Sequence, residues 1–318
     1  MSLDKVYVLP TLDCEVAQND MSEYAAEMSP SSPEDYEESE ESMEGYRTVS
    51  EEYGFTPTFF AHEKVALNNS DYLRRVESEE GVCVGMHLHP YKLDDEYDKN
   101  IGGYAREEQK AIFERAIEIW EEGMGRKPKY FRAGQLSAND HTIPILLELG
   151  FEGGSMSRPG RNLTQPDRAT QWVGAEPYAH RANLAFRQAI GESEFIQVPT
   201  SVDFSSKLTG SRDRYRNVFV PKPDFDYEQI VANIMDQMQE DEPPMPQMVI
   251  GGHNNEAYHD PENNEAGRHL IRIFEALDEY CEEHSIEQVD ITLDEFIDQF
   301  RELDPEVTGS NPHAPEYP

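Results

Sequence analysis

Short apolar segments alternate with amphipathic segments along nearly the whole chain. The apolar segments have the length and composition of β-strands and lie at residues 5–12, 56–61, 81–86, 130–133, 194–198, 247–251 and 288–291. The helical pattern recurs between them, at residues 48–53, 70–79, 106–123, 141–149, 227–239, 265–283 and 293–300. This alternation predicts an α/β architecture with a parallel sheet. In such sheets the catalytic and ligand-binding residues usually lie at the carboxyl ends of the strands.

Two segments depart from the alternation. Residues 16–47 are rich in serine, proline and acids, and seven of the eleven residues from 34 to 44 are acidic. This composition predicts a solvated surface insertion or long loop after the first strand, which could also serve as a lid. Residues 304–318 are rich in proline and glycine and predict a flexible tail. The rest, up to residue 303, is predicted to be a single domain.

The charge balance excludes two classes of partner. The 318 residues include 64 acidic and 27 basic side chains, for a formal net charge of −37. Binding to nucleic acids or to anionic membranes needs a surface of lysine and arginine, and no basic run occurs in the sequence. The dispersal of the acids favours adaptation to molar salt over a binding surface for a cationic ligand, because salt near 1 M shortens the Debye length to about 3 Å.

Membrane insertion and export are not expected either. No stretch approaches the roughly 20 apolar residues of a bilayer span, and the first residues lead into a strand rather than a signal sequence. We therefore expect a cytoplasmic protein. Three cysteines without a Cys-x-x-Cys spacing indicate neither a disulfide framework nor a cysteine-based zinc site.

Polar residues follow four of the predicted strands. They are Asp13 and Glu15, His87 and His89, Arg132, and His253. One carboxylate with two imidazoles is a common way to hold a divalent metal and leave positions open for water and substrate. A second carboxylate can take a proton from that water, and a histidine can return one to a leaving group. These are the parts of a metal-assisted hydrolase.

The order of these clusters resembles the polysaccharide deacetylase family, which carries the NodB-homology domain. Residues 11–15 (Thr-Leu-Asp-Cys-Glu) are similar to its first motif, and residues 53–60 (Tyr-Gly-Phe-Thr-Pro-Thr-Phe-Phe) to the strand that follows. Residues 85–90 (Gly-Met-His-Leu-His-Pro) lie where its histidine motif is found. Three further segments, at residues 128–134, 249–253 and 291–296, resemble its later motifs.

The resemblance implies a distorted (β/α)7-type barrel and hydrolysis of an acyl amide, typically an acetyl group on an amino sugar. It also implies roles for single residues. Asp13 would be the general base, Arg132 would orient it, and His253 would be the general acid. Glu15, His87 and His89 would hold a divalent metal, Zn²⁺ by preference.

Two departures from the family pattern leave alternatives open. When the first motif is aligned residue by residue, Cys14 stands where the family usually has its metal-binding aspartate. Glu15 can take this role only if the chain follows the variant form of the motif, Asp-x-Asp/Glu. The usual His-x-x-x-His is replaced by His87-Leu88-His89, with Tyr91 at the fifth position. In an extended segment residues i and i+2 share a face, so both histidines could still reach one metal. Metal-independent chemistry with Asp13 retained, or loss of catalysis, are the alternatives.

The sequence thus predicts a metal-dependent hydrolase, adapted to high salt, whose substrate is a small molecule or glycan carrying an N-acyl amino sugar. A nucleotide- or lipid-linked amino sugar suits a cytoplasmic enzyme better than a cell-wall polymer. Two other functions fit the same residues. One is a C–N hydrolase of this fold that acts on a non-sugar amide or a cyclic imide. The other is a carbohydrate- or partner-binding protein on a catalytically decayed barrel.

Overall fold

The computed structural model describes residues 3–29, 31–164, 169–208, 215–307 and 313. The strands are β1 (Lys5–Cys14), β2 (Thr58–His62), β3 (Cys83–Leu88), β4 (Tyr130–Ala133), β5 (Gly153–Gly154), β6 (Asn162–Leu163), β7 (Thr170–Gln171), β8 (His180–Arg181), β9 (Ile196–Gln197), β10 (Val202–Lys207), β11 (Tyr215–Asn217), β12 (Gln247–His253) and β13 (Glu287–Asp290). The α-helices are α1 (Glu23–Met28), α2 (Tyr36–Glu52), α3 (Glu63–Asn68), α4 (Ser70–Glu79), α5 (Pro90–Leu93), α6 (Arg106–Met124), α7 (Thr142–Glu148), α8 (Tyr227–Asp241), α9 (Glu265–His284) and α10 (Leu293–Leu303).

One curled sheet of nine strands organises the molecule. Its order is β12-β1-β2-β3-β4-β5-β9-β8, and β13 pairs with the beginning of β1. Every pairing in this sheet is parallel except that of β8 with β9. Helices connect most of the successive parallel strands, whereas the described part of the connection from β5 to β9 contains only short strands and loops. The predicted fold class is confirmed: the sheet is the curled half-barrel of a distorted (β/α) barrel.

The amphipathic pattern explains the longest connections. In α6 the buried side chains of Phe113, Ile117 and Trp120 recur at helical spacing and form one stripe against the core. The helix ends at Gly125, whose φ of +71° is a left-handed conformation that glycine adopts without steric cost.

The acidic segment is only partly the loop that its composition predicts. Residues 36–52 form α2, which is capped by Asp35 and buries Met43, Tyr46 and Val49 in the core. The prediction of a loop over residues 16–47 is therefore wrong for Glu23–Met28, which form α1, and from Tyr36 onwards. Serine and glycine fill buried positions of this helix where it packs closely, and the acids lie on its outer face, so its composition resembles that of a solvated loop.

Several smaller differences concern boundaries and short elements. Strand β1 extends two residues beyond the predicted end and includes Asp13, and α3 and the hairpin of β10 and β11 were not predicted. Leu303 ends α10, and residues 308–312 and 314–318 of the predicted flexible tail lie outside the described residues. The three cysteines are buried and unpaired. Within the described ranges, no helix combines the length and apolar character that a membrane span requires.

Candidate active site

Strand register brings the predicted site residues to one edge of the sheet. Asp13 on β1 lies opposite His253 on β12, and His87 on β3 lies opposite Arg132 on β4. Strand β2 joins the two pairs, because it is hydrogen-bonded to both β1 and β3. Four polar clusters far apart in the sequence therefore meet at the carboxyl ends of adjacent parallel strands.

Glu15, His87 and His89 form a compact, buried cluster of possible metal ligands. Their candidate ligand atoms lie within 4.8 Å of one another. The Nε2 atoms of His87 and His89 lie 3.3 Å and 3.1 Å from Oε1 of Glu15. His89 has extended backbone angles, φ −112° and ψ 110°, which places its side chain on the same face as that of His87. The structure thus brings together the three residues that the sequence predicted as ligands.

Neighbouring groups orient both imidazole rings. The Nδ1 atom of His87 lies 2.9 Å from the backbone carbonyl of Arg132, and a carbonyl can only accept a hydrogen bond. His87 Nδ1 therefore carries a proton, and this hydrogen bond turns Nε2 towards the cluster. Nδ1 of His89 lies 2.6 Å from the hydroxyl of Tyr91. Tyr91, at the fifth position of the family motif, thus orients a histidine of the cluster.

A glycine makes room for the second ring. A Cβ atom at Gly134, just after β4, would lie 2.4 Å from Nδ1 of His89. Such a distance is far below ordinary van der Waals contact, so a side chain at position 134 would displace the His89 ring.

Lys92, which the sequence analysis did not single out, completes the cluster. Its ammonium group is buried and donates hydrogen bonds to Oε2 of Glu15 at 2.6 Å and to Oγ of Ser32 at 2.7 Å. One oxygen of Glu15 therefore faces the ammonium group and the other faces the two histidines. Burial alone would raise the pKa of Glu15, but His89, Lys92 and His87 hold it well below its usual value. The only sequence signal for Lys92 is its place in the short helix after the histidine motif.

The set of donors suits a divalent cation. It offers one ionised carboxylate oxygen and an imidazole nitrogen that its partner turns towards the cluster. The second imidazole, of His89, is neutral near pH 7, because burial lowers its pKa to about 4. Burial alone would lower the pKa of His87, but Glu15 and Asp13 raise it above its usual value, so a bound metal would displace a proton from Nε2 of His87.

Arg132 holds Asp13 beside this cluster. Its guanidinium is fully buried and donates from Nη1 to Oδ1 of Asp13 at 2.8 Å and to Oγ1 of Thr11 at 2.8 Å. The other guanidinium nitrogens bond the backbone carbonyl and the hydroxyl of Ser155. Burial alone would raise the pKa of Asp13, but Arg132, His87 and His253 lower it below its usual value. Asp13 is therefore ionised and fixed in orientation.

His253 stands on the other side of Asp13 and is partly exposed to the cleft. Its ring packs against that of Phe219 at 5.0 Å between centroids, and the hydroxyl of Tyr258 bonds its backbone. Desolvation lowers the pKa of His253 to about 4, although Asp13 and Glu15 oppose the shift. The imidazole is therefore neutral near pH 7.

These residues lie in a cleft of about 370 Å³, a volume within the usual range of small-molecule sites. Asp13, Glu15, His87, His89 and His253 all line this cleft. Its lining also includes residues of α1 and of the segment that follows it, so part of the predicted insertion borders the site. Arg158, Arg161 and Lys222, which the sequence did not indicate, line it too.

Comparisons with known proteins concern the fold and one part of the sequence. The family model "Polysaccharide deacetylase" matches residues 35–154, which include His87, His89 and Arg132. Asp13, Glu15 and His253 lie outside the matched range. Among curated proteins, no sequence relative matches the chain.

The fold is shared with several solved structures. A protein described as a polysaccharide deacetylase from Mycobacterium smegmatis is 16% identical, with 99% of this chain and 96% of that chain covered and a TM-score of 0.59. PuuE allantoinase is 14% identical, with 95% and 92% covered and a TM-score of 0.59. A protein described as a polysaccharide deacetylase from Pseudomonas aeruginosa is 15% identical, with 93% and 91% covered and a TM-score of 0.54. At these identities the likeness establishes the fold alone.

A curled parallel sheet with carboxylates and histidines at its carboxyl edge defines a protein of the distorted (β/α)-barrel class. The family match narrows this class. Over residues 35–154, fewer than half of its 318 residues, the chain resembles the polysaccharide deacetylases.

Proposed function

We propose that the protein is a metal-dependent hydrolase that removes an acyl group, typically acetyl, from the amide of an amino-sugar derivative. The observation that carries this proposal is the convergence of Glu15, His87 and His89 next to Asp13 and His253 in one cleft. We assign Glu15 rather than Asp13 to the metal. Oε1 of Glu15 faces both imidazoles, whereas Oδ1 of Asp13 accepts a hydrogen bond from Arg132.

A divalent ion held by Glu15, His87 and His89, with Zn²⁺ suited to this set, would polarise the scissile carbonyl and lower the pKa of a nearby water. Side chains of the protein carry out the proton transfers of the reaction. Asp13, ionised and held by Arg132, accepts a proton from the attacking water as the C–O bond forms. The C–N bond then breaks, and the leaving nitrogen takes a proton from His253. Since His253 is neutral at rest, it first takes from Asp13 the proton that Asp13 accepted from the water; after it passes this proton to the leaving nitrogen, both residues are back in their resting states.

Adaptation to high salt is part of the proposal. The formal charge of −37 is distributed over the whole chain, and the exposed acids of α2 illustrate its placement on helix surfaces. Screening by molar salt removes most of the repulsion between such charges.

The test combines metal analysis with release of acetate from a panel of N-acetylated sugars. Protein is purified in molar KCl, and bound Zn²⁺ is measured for the wild type and for His87→Ala and His89→Ala. We expect metal in the wild type, acetate release from at least one sugar, and loss of both in each variant. His284→Ala is the matched control, because His284 is the exposed last residue of α9 and does not line the cleft. Acetate release that survives a chelator and both histidine variants would overturn the metal-dependent mechanism.

The same panel separates the proposed function from its nearest alternative. It includes a cyclic amide of the allantoin type, because the fold is shared with an allantoinase. Ring opening without acetate release would identify a non-sugar C–N hydrolase and refute the amino-sugar assignment.

A further inference from the structure

His62, the last residue of β2, contacts the backbone of His89 and has no role in the proposed reaction. Its side chain is fully buried. The backbone N–H of His89 donates a hydrogen bond to Nε2 of His62 at 3.2 Å. A side chain at the end of one strand thus binds the backbone just beyond the end of the neighbouring strand, β3.

The backbone of His89 lies where regular structure ends. Pairing of β3 with β2 ends at His87, and its pairing with β4 ends at Leu88. The carbonyl oxygen of His89 accepts the backbone N–H of Lys92 at 2.9 Å in the first turn of α5. Its N–H precedes that helix and cannot bond within it. A buried N–H needs an acceptor, because an unpaired one costs about as much as a lost hydrogen bond, and His62 supplies that acceptor.

Glu63 lies beside the opposite edge of the His62 ring. Because a backbone N–H can only donate, Nε2 of His62 accepts in this contact, and a neutral ring then carries its proton on Nδ1. Nδ1 lies 2.7 Å from Oε2 of Glu63, which is also fully buried. Nε2 lies 3.3 Å from the carbonyl oxygen of His89 as well, but that oxygen is already bonded to α5. The two ring nitrogens thus face different partners, Glu63 and the backbone of His89.

We propose that His62 is a positioning residue of the site: its imidazole fixes the backbone of His89 and thereby the place of the His89 ring in the cluster of possible metal ligands. This inference rests on the proposed function, in which that ring is a ligand. A ligand must be held within about 0.5 Å of its productive place, and partners behind it help to hold it. Tyr91 and Gly134 act on the ring of His89, whereas His62 acts on its backbone.

Two amide variants of His62 test this contact, because their polar atoms lie at different distances from Cβ. The amide of glutamine is as many bonds from Cβ as Nε2 of histidine, whereas the amide of asparagine is as many as Nδ1. His62→Gln therefore keeps an acceptor for His89, and His62→Asn keeps only a polar group beside Glu63. His180→Asn is the matched control, because His180 is a buried histidine of the same sheet whose ring contacts the carbonyl of Tyr178.

The first measurement is hydrogen exchange of the His89 amide in metal-free protein, followed by NMR in about 2 M KCl. It is expressed relative to the amides of β3, which cancels changes in global stability. We expect His62→Asn to reduce the relative protection about three- to tenfold, the effect of one lost hydrogen bond. His62→Gln and His180→Asn should keep it within about twofold. Unchanged protection in His62→Asn would overturn the proposal. If His62→Asn does not fold, His62→Gln still decides, because loss of protection with the acceptor retained would also overturn it.

The second measurement is the affinity for Zn²⁺, by competition with a chromophoric chelator, together with the visible spectrum of the Co²⁺-loaded protein. We expect His62→Asn to weaken Zn²⁺ binding about 10–100-fold and to change the spectrum, and His62→Gln to match the wild type in both. General destabilisation would appear equally in His180→Asn. A wild type and a His62→Asn variant that bind Zn²⁺ equally well would overturn the positioning role.

Exchange in the metal-free protein separates this proposal from the proposed function. If the wild type binds no Zn²⁺ and releases no acetate, but protection of the His89 amide depends on His62 as expected, the positioning role stands and the metal-dependent function falls. If that protection does not depend on His62, the positioning role falls, whatever metal the wild type binds and whatever it hydrolyses.

Discussion

The buried contact between Lys92 and Glu15 gives the sharpest prediction about the site. Lys92→Met removes the ammonium group and keeps most of the apolar stem. Oε2 of Glu15 then loses a partner at 2.6 Å, and Oγ of Ser32 loses one at 2.7 Å. Breaking a buried ion pair by removing one partner costs about 3–5 kcal/mol, because the remaining charge is left uncompensated. Since the entropy of unfolding is about 2.1 cal/mol/K per residue, 1 kcal/mol shifts the Tm of a chain of 318 residues by roughly 1.5 °C, and the metal-free variant should melt about 4–8 °C below the wild type.

Zn²⁺ should reverse most of this loss. A divalent cation beside Glu15 supplies the positive charge that Lys92 supplied, and it binds the folded state only. The assay is calorimetric melting in about 2 M KCl, with a chelator or with added Zn²⁺. We expect Zn²⁺ to raise Tm more in Lys92→Met than in the wild type. Lys127→Met, the same change at an exposed lysine, should have the same Tm as the wild type under both conditions.

Two results would refute the reasoning. If Lys92→Met in the presence of chelator has the same Tm as the wild type, the buried pair contributes nothing to stability. Equal Zn²⁺ increments in the two proteins would show that lysine and metal do not act on the same carboxylate. The double variant Glu15→Gln/Lys92→Met checks the physical cause, because it removes both charges and should melt above Lys92→Met in the presence of chelator.

Four further predictions follow from the charge and the site. Melting temperature should climb steeply between ~0.1 and ~2 M KCl, because screening relieves the repulsion among 64 acids; a flat profile would contradict adaptation to salt. His253→Ala should lower turnover roughly 10²–10⁴-fold with bound metal unchanged, and loss of metal in that variant would make His253 a ligand rather than the acid. Glu15→Gln should lose both metal and activity, whereas Asp13→Asn should keep metal and lose turnover; the inverse pattern would exchange the two roles. The pKa of Asp13 is lowered in the folded state, so its contribution to stability is present above its unfolded pKa of about 4 and is lost as the pH falls through the folded pKa. Asp13→Asn should therefore show a shallower fall in unfolding free energy with acid than the wild type, by denaturant titration at each pH, and equal slopes would contradict the assigned shift.

Local patterns predicted most of the fold and several residues of the site. Helix α4 and strand β4 have the predicted bounds, since apolar periodicity depends only on which side chains must be buried. The parallel sheet follows from the alternation of elements, and a parallel sheet places the ends of its strands at one edge. The residues after those strands, Asp13, His87 and His253 among them, could thus be expected to meet before any coordinates existed.

What the sequence left undecided depends on contacts between distant segments. Lys92 and Glu15 are 77 positions apart, and the bases that line the cleft come from segments outside the predicted strands and helices. Helix α2 could not be distinguished from a solvated loop by composition, because its buried face uses serine and glycine where neighbouring backbone approaches closely. The identity of a residue determines the charge it carries and whether its burial is favourable. Strand register and helix packing decide which oppositely charged residue becomes its partner. Both are properties of the tertiary structure alone.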